Sequence, residues 1–220
     1  MSMFSNPTPA PEKVEFELVP EGKHTGVIKY FVDCGHHHDE FKGEPVIKHE
    51  IFIAWELVDC LDEKGLPHWK GAFYRASDYV DKKTGKSRIY FHDNSNTNKM
   101  LRAWTGEPAD KVKWDNFLQN LIVKEVPASI TIEHYQGKAD PSKTFSKIES
   151  VKPYKGKEKP RRVTPFIGWS FGDPGFEELP VMLQNKINAS IEKTEPGGYV
   201  KAPKAGEAPK AGGFDDDVPF

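Results

Sequence analysis

Short apolar runs, separated by turn residues, fill the chain from residue 24 to residue 152. Val27–Val32 is one predicted strand and His49–Val58 is a second. Both alternating sets of the second run are largely apolar: Ile51, Ile53, Trp55 and Leu57 form one set, and Phe52, Ala54 and Glu56 form the other. Because successive side chains of a strand point to opposite faces, this pattern predicts a central strand.

A hairpin is predicted after these two strands. Residues 72–80 and 86–91 form its arms, and the loop Lys82–Gly85 joins them. Gly85 readily adopts the positive φ that a four-residue loop usually needs. Two further strands, Ser129–Tyr135 and Thr144–Val151, follow later and are joined by a polar turn.

Two short helices, Asn96–Thr105 and Trp114–Leu121, are predicted before the last two strands. The order of elements contains no βαβ alternation, so it does not indicate a parallel sheet. It predicts a mainly β fold, an OB-fold-like Greek-key barrel with short helices before the last two strands, followed by a C-terminal helical extension and a disordered tail. An open α+β sandwich is the alternative that the periodicity leaves open.

Composition divides the chain into four predicted segments. They are a flexible N-terminal leader (1–20), the OB-like domain (21–152), a basic connector with a docking helix (153–194), and a disordered linker with an acidic C-terminal tip (195–220). The helix covers Phe176–Lys193 and is interrupted early by Pro180. The run before it, Phe166–Phe171, is largely apolar. We therefore expect this segment to dock onto the body or onto a second subunit, and homo-oligomerisation is one expectation.

Composition also restricts the class of protein. The chain has 220 residues with 37% hydrophobic content, and no run approaches the roughly 18 to 20 apolar residues that cross a bilayer. The N-terminus lacks the apolar centre of a signal peptide. Two cysteines, Cys34 and Cys60, do not form a disulfide framework. We therefore expect a cytoplasmic protein without a membrane partner.

Charge is unevenly distributed along the chain. Residues 195–220 carry five acids and three lysines, whereas residues 1–194 carry equal numbers of acids and bases. A nucleic-acid surface would therefore be a local stripe of positive charge on a neutral body.

The hairpin offers such a stripe. With Asp81 opposite Lys86, the register places Tyr79 opposite Arg88 and Ser77 opposite Tyr90. Aromatic and basic side chains then share one face: Phe73, Arg75, Tyr79, Lys86, Arg88 and Tyr90. Rings stack on unpaired bases at about 1–3 kcal/mol each, and cations follow the phosphates without reading sequence, so this face predicts single-stranded DNA binding.

Two alternatives to this interpretation remain open. A shift of the register by one residue would move one arm's side chains to the other face, and some of the six side chains would then be merely packed or solvated. The opposite face suits a core, since it carries Tyr74, Ala76, Val80, Ile89 and Phe91.

Two other segments add candidate DNA-binding residues. Lys99 and Arg102 lie on the first predicted helix with Trp104, although an amphipathic helix of this kind also serves to seal a barrel. Phe145 and Lys147 alternate with Ser146 and Ile148 on the last predicted strand, which permits an exposed ring beside a cation.

The C-terminal tip is the strongest signal in the sequence. Its residues are Phe214, Asp215, Asp216, Asp217, Val218, Pro219 and Phe220. The three carboxylates repel one another and keep the tip solvated, while Pro219 stiffens the approach to a terminal ring that lies beside the α-carboxylate. A partner pocket with an apolar floor and a basic rim would capture the ring and the carboxylate together. The alternative is an acidic end that only aids solubility.

The tip resembles the C-terminal peptide of bacterial single-stranded DNA-binding proteins, which ends in an Asp-rich stretch followed by Ile-Pro-Phe and recruits replication and repair enzymes. Val218 stands here in place of the usual Ile. The body is more similar, over roughly residues 20–152, to phage-encoded single-stranded DNA-binding proteins with an OB core, in which a polar helical segment like Asn96–Gly106 precedes the last two strands. This resemblance implies single-stranded DNA as one partner and replication, recombination or repair enzymes as others, in an infected bacterial host.

The sequence offers no enzyme motif. His36, His37 and His38 invite a metal interpretation, but adjacent residues of an extended loop point in different directions and no second cluster with zinc-like spacing follows, so a solvated loop is expected. A nuclease or another metal enzyme that uses this loop is a third alternative. Thr84–Ser87 ends like a Walker A motif, but Val80 stands where the earlier Gly is required.

These observations predict a non-catalytic, sequence-nonspecific single-stranded DNA-binding protein without a metal or cofactor. It would coat and protect DNA during phage replication or recombination and recruit partner enzymes through its tip. The alternative function is an adaptor that mimics the tail of the host single-stranded DNA-binding protein and does not bind DNA itself.

Overall fold

The computed structural model describes residues 18–80, 87–106, 121, 124–138 and 140–195. Its strands are β1 (Gly22–Phe41), β2 (Glu44–Leu61), β3 (Pro67–Val80), β4 (Ser87–Tyr90), β5 (Ala128–Gln136), β6 (Thr144–Pro153) and β7 (Ile167–Trp169). Its helices are α1 (Asn96–Thr105), a 3₁₀ turn (Phe176–Glu178), α2 (Val181–Asn188) and α3 (Ile191–Thr194). No helix among the described residues has the length and apolar character needed to cross a membrane.

The strands form one sheet in the order β4-β3-β2-β1-β5-β6, with antiparallel neighbours throughout. The short β7 pairs in parallel with β1 at Tyr30–Val32, beyond the stretch of β1 that pairs with β5. Within the described part of the chain no pairing joins β6 to β3 or β4, so the sheet is not closed into a barrel. The mainly β prediction is confirmed, whereas the predicted closure is not found.

Strand β2 lies near the middle of the sheet and is buried on both faces, as its double apolar pattern predicts. One face, with Ile51, Ile53, Trp55 and Leu57, packs against α1 and β5 to form the main core. The other face, with Phe52 and Ala54, packs against β1 and the C-terminal segment. The predicted core face of the hairpin is confirmed at Tyr74, Ala76, Ile89 and Phe91, which pack against the main core.

Helix α1 begins and ends where the sequence predicts. The Ser95 side chain accepts a hydrogen bond from the Asn98 amide at 3.1 Å, and Gly106 closes the helix with φ of 72°. The second predicted helix, Trp114–Leu121, lies outside the described residues except at Leu121, which is helical and buried.

The C-terminal segment covers the second face of the sheet. Leu183 and Ile187 of α2 lie four residues apart and are fully buried against β1 and β2. Pro180 precedes α2, so the predicted interruption is confirmed, and the chain breaks again before α3. Residues 154–166, in the first part of the basic connector, contain no helix or strand. Pro160 and Pro165 disfavour regular structure in this stretch.

Strand β1 is much longer than predicted and includes the three adjacent histidines. It pairs with β2 as far as Phe41, with register shifts at Ile28/Tyr30 and Asp33/Gly35. His36 and His37 are buried, so the predicted solvated loop is wrong. These rings are tolerated inside the sheet because they are hydrogen-bonded: His36 to the carboxylates of Asp78 and Glu192, and His37 to the backbone carbonyl of Cys34.

Candidate nucleic-acid surface

The register of the predicted DNA-binding hairpin is confirmed. Ser77 lies opposite Tyr90 and Tyr79 lies opposite Arg88, which removes the alternative of a shift by one residue. The side chains of Tyr79, Arg88 and Tyr90, and all of Lys86, lie outside the described residues. The strand pairing therefore puts these backbone positions in the predicted register, but the positions of the four side chains are not described.

Phe73 and Arg75, at the inner end of that face, make intramolecular contacts. The Phe73 ring lies 5.1 Å from the Phe52 ring, and Lys186 of α2 lies 5.3 Å from its centroid. Arg75 donates to Asp39 at 2.8 Å. Phe73 is thus partly covered by the C-terminal segment, a contact that alternation within β3 does not reveal.

The two α1 candidates differ in exposure. Lys99 is exposed, whereas Arg102 is half-buried in the last turn of the helix. Trp104 belongs to the main core, where its ring packs edge-on against Trp55 and its indole N–H donates to the carbonyl of Pro127 at 3.2 Å. Helix α1 therefore seals the core and presents Lys99 outward.

Phe145 and Lys147 lie together on the outer face of β5 and β6. The Phe145 side chain is 44% exposed and its ring stacks on that of Tyr135, directly opposite, at 5.7 Å between centroids. Lys147 pairs with Glu149 at 3.3 Å and with Glu133 at 3.5 Å, and these contacts raise the pKa of its ammonium group. The exposed ring beside a cation that the alternation predicts is present.

The same outer face continues into a groove that the sequence analysis did not identify as a site. The groove encloses about 440 Å³ where β1, β5 and the end of β6 meet. Its lining includes three exposed lysines, Lys23, Lys152 and Lys155, together with Tyr154 and hydroxyl groups of Thr25, Ser129 and Thr131. We call this groove and the Tyr135, Phe145 and Lys147 surface together the outer β5–β6 face.

The register explains why these residues share one face. Thr131 of β5 lies opposite Lys23, and Ser129 lies opposite Lys152. Ile130 and Ile132, which alternate with them, point into the main core. The alternating polar positions of Ser129–Tyr135 were the sequence signal for a polar face on β5. Lys152 and Lys155 lie in a basic, proline-containing stretch, and no local sequence feature indicates that they lie beside β1.

The tip, residues 214–220, lies outside the described residues, so its predicted role in partner binding remains a prediction.

A cluster of buried polar side chains, which includes His36 and His49, lies away from the outer β5–β6 face. Burial alone would lower the pKa of His49, but its hydrogen bonds to Asp33 and Asp78 outweigh burial and raise that pKa to about 10. Burial would raise the pKa of Asp78, but hydrogen bonds from His36 and His49 outweigh burial and hold that pKa well below its ordinary value. Among the described residues, His36, His49 and Asp78 are the group that could hold a metal ion.

Comparison of the chain with protein-family models, curated proteins and solved structures finds no match.

Proposed function

We propose that this chain is a sequence-nonspecific single-stranded DNA-binding protein that coats and protects DNA during phage replication or recombination and recruits partner enzymes through its acidic tip. The observation that carries the proposal is the outer β5–β6 face, where three exposed lysines lie on the same side of the sheet as a stacked pair of aromatic rings.

The chemistry of this face fits a single strand better than a duplex. Lysines attract phosphates without reading sequence, and exposed rings stack on unpaired bases. Hydroxyl groups of Thr25 and Ser129 supply further donors to phosphate oxygens. The ion pairs of Lys147 are exposed and worth little, so phosphate can exchange for carboxylate there.

The strand order supports an OB-like body. Neighbours run β5-β1-β2-β3, so the first three strands form a meander and β5 returns beside β1. This is the spatial order of a Greek key. Helix α1 precedes the returning pair, as in the phage proteins that the body resembles, and OB folds are partly open Greek-key barrels that bind oligonucleotides.

Fluorescence anisotropy of a labelled oligo-dT and a matched duplex, titrated with the full chain at low and moderate salt, tests the proposal. We expect preferential binding of the single strand that weakens with salt. Phe145→Ala should weaken binding by about 5- to 150-fold, since a stacked base contributes about 1–3 kcal/mol. Lys152→Ala combined with Lys155→Ala should weaken it and flatten the salt dependence, by a slope of about 0.7 for each phosphate that the variant no longer neutralises.

Lys64→Ala provides the matched control, because Lys64 is exposed in the β2–β3 loop and does not line the groove. It should leave the affinity unchanged. Arg75→Ala, Lys86→Ala and Arg88→Ala combined test the hairpin separately. If this variant alone loses binding, the DNA lies on the hairpin and not on the outer β5–β6 face.

Failure to bind either nucleic acid, with or without residues 214–220, would contradict the proposal. The adaptor function would then be favoured, because it needs only the tip sequence.

A further inference from the structure

Three neighbouring strands bring two histidines and an aspartate together at one end of the sheet. His36 of β1 lies directly opposite His49 of β2, and Asp78 of β3 lies two residues beyond Ala76, the partner of His49. The Asp78 carboxylate faces both rings, with one oxygen 2.5 Å from His36 Nε2 and the other 2.9 Å from His49 Nδ1. The three side chains are buried or half-buried.

The other nitrogen of each ring faces a second carboxylate. His49 Nε2 lies 2.8 Å from Asp33 Oδ1, and His36 Nδ1 makes a hydrogen bond with Glu192. Histidines that bind metals almost always hold a carboxylate, carbonyl or water on the nitrogen that does not bind the metal, which fixes the ring orientation. Both histidines therefore have the outer partners of metal-binding imidazoles.

The placement of Glu192 depends on a special backbone position. Gly35 has φ of 80°, and a Cβ atom there would come within 2.6 Å of a Glu192 carboxylate oxygen. The absence of a side chain lets this carboxylate also accept from the His36 backbone N–H, at 3.0 Å. Glu192 is thus held from α3, far along the chain, against the ring that it orients.

We propose that His36 Nε2, His49 Nδ1 and a carboxylate oxygen of Asp78 bind a divalent transition-metal ion of the zinc class, with Asp33 and Glu192 hydrogen-bonded to the other ring nitrogens and water completing the coordination. The ion replaces the protons through which the two rings contact Asp78, and these protons are released to solvent on binding. Ligand atoms at about 2.0–2.2 Å around a tetrahedral ion lie roughly 3.3–3.6 Å apart. One ligand atom from each of the three residues lies within 4.8 Å of the other two, so shifts of about 1 Å bring the three atoms to the separations that a tetrahedral ion needs. Imidazole nitrogen suits zinc and its neighbours in the first transition row.

The neighbouring histidines do not belong to this site. His37 Nε2 lies 3.0 Å from the carbonyl oxygen of Cys34 and 4.0 Å from a Glu50 carboxylate oxygen. His38 is exposed and pairs with Glu195. The run of three histidines therefore separates into one ligand and two residues with other partners, which makes His38 a control for nonspecific binding by the run.

Titration of the metal-stripped full chain with Co²⁺, followed by visible absorption and by displacement with Zn²⁺, tests the site. We expect a single ion per chain and an increase in thermal stability, because the ion binds the folded state. Glu192→Gln should weaken Co²⁺ binding by about 10- to 100-fold. His36→Gln and Asp78→Asn, which each remove a ligand, should weaken it further.

His38→Gln is the matched control and should bind Co²⁺ as the parent chain does. Far-UV circular dichroism of each variant separates loss of a ligand from loss of fold, and Glu192→Gln keeps the test informative if the strand variants do not fold. Equal loss of affinity in His38→Gln and His36→Gln would overturn the proposal, as would an absence of Co²⁺ and Zn²⁺ binding by the parent chain. The DNA-binding experiment is independent of this one.

Discussion

The buried carboxylate of Glu56 forms hydrogen bonds that connect the sheet to the basic connector. The side chain is fully buried in β2, yet it accepts hydrogen bonds from the backbone amides of Val163 at 2.5 Å and Thr164 at 3.1 Å. The Thr164 hydroxyl donates to the same carboxylate, and Lys29 lies 3.9 Å from it. A buried charge is tolerated when it is paired and hydrogen-bonded, so these donors explain an acid at a position whose neighbours are apolar.

Replacement of Glu56 by Gln should destabilise the fold. The amide group of Gln turns one acceptor into a donor that faces other donors, and a buried unsatisfied group costs about 1–3 kcal/mol. We expect a loss of that size in the free energy of unfolding, measured by urea denaturation with an unchanged m-value. Glu63→Gln, at an exposed position, should change it by less than about 0.5 kcal/mol. Equal stabilities of the two variants would contradict this role of Glu56.

At the scale of elements, α2 is stable because of what it packs against. Eight residues are too few for an isolated helix in water, so the sheet face must supply the stabilisation. That face is provided by Phe52 and Ala54 of β2 and by Tyr30 and Val32 of β1. The same packing places Lys186 over the Phe73 ring, which links the position of α2 to the inner end of the hairpin face.

Leu183→Ala should therefore destabilise the chain by about 2–5 kcal/mol, because it removes a fully buried side chain and leaves a cavity between α2 and the sheet. Val181→Ala on the same helix is the control, since Val181 is 69% exposed and its loss should change stability by less than about 0.5 kcal/mol. Urea denaturation measures both. Similar stabilities of the two variants would show that α2 does not depend on this contact.

Elements with local determinants were predictable from the sequence. Helix α1 has its capping residues, Ser95 and Gly106, in the adjacent sequence, and the hairpin register agrees with the number of residues that the sequence places between the two arms. The extent of β1 was not predictable, because His36 is satisfied by Glu192, 156 residues away. The contact between Lys186 of α2 and the Phe73 ring was not predictable for the same reason, because the two residues are far apart in the sequence and meet only in the folded protein.

At the scale of the whole molecule, charge is separated between the outer β5–β6 face and the C-terminal tip. The face carries Lys23, Lys152 and Lys155, whereas the tip carries three adjacent aspartates. The linker sequence between them is rich in Gly, Pro and Ala, a composition typical of tethers. If DNA binds this face as proposed, an anionic tip on such a linker competes with DNA for the same cations at high effective concentration.

Deletion of residues 214–220 should therefore preserve or tighten oligo-dT binding at low salt, and the difference from the full chain should shrink as salt screens the charges. Anisotropy titrations of the two chains over a series of salt concentrations measure this effect. Weaker binding after deletion would contradict the competition. A synthetic peptide of residues 214–220 should inhibit the truncated chain, whereas the same peptide with Asn in place of Asp215, Asp216 and Asp217 should not, because the competition depends on carboxylate charge.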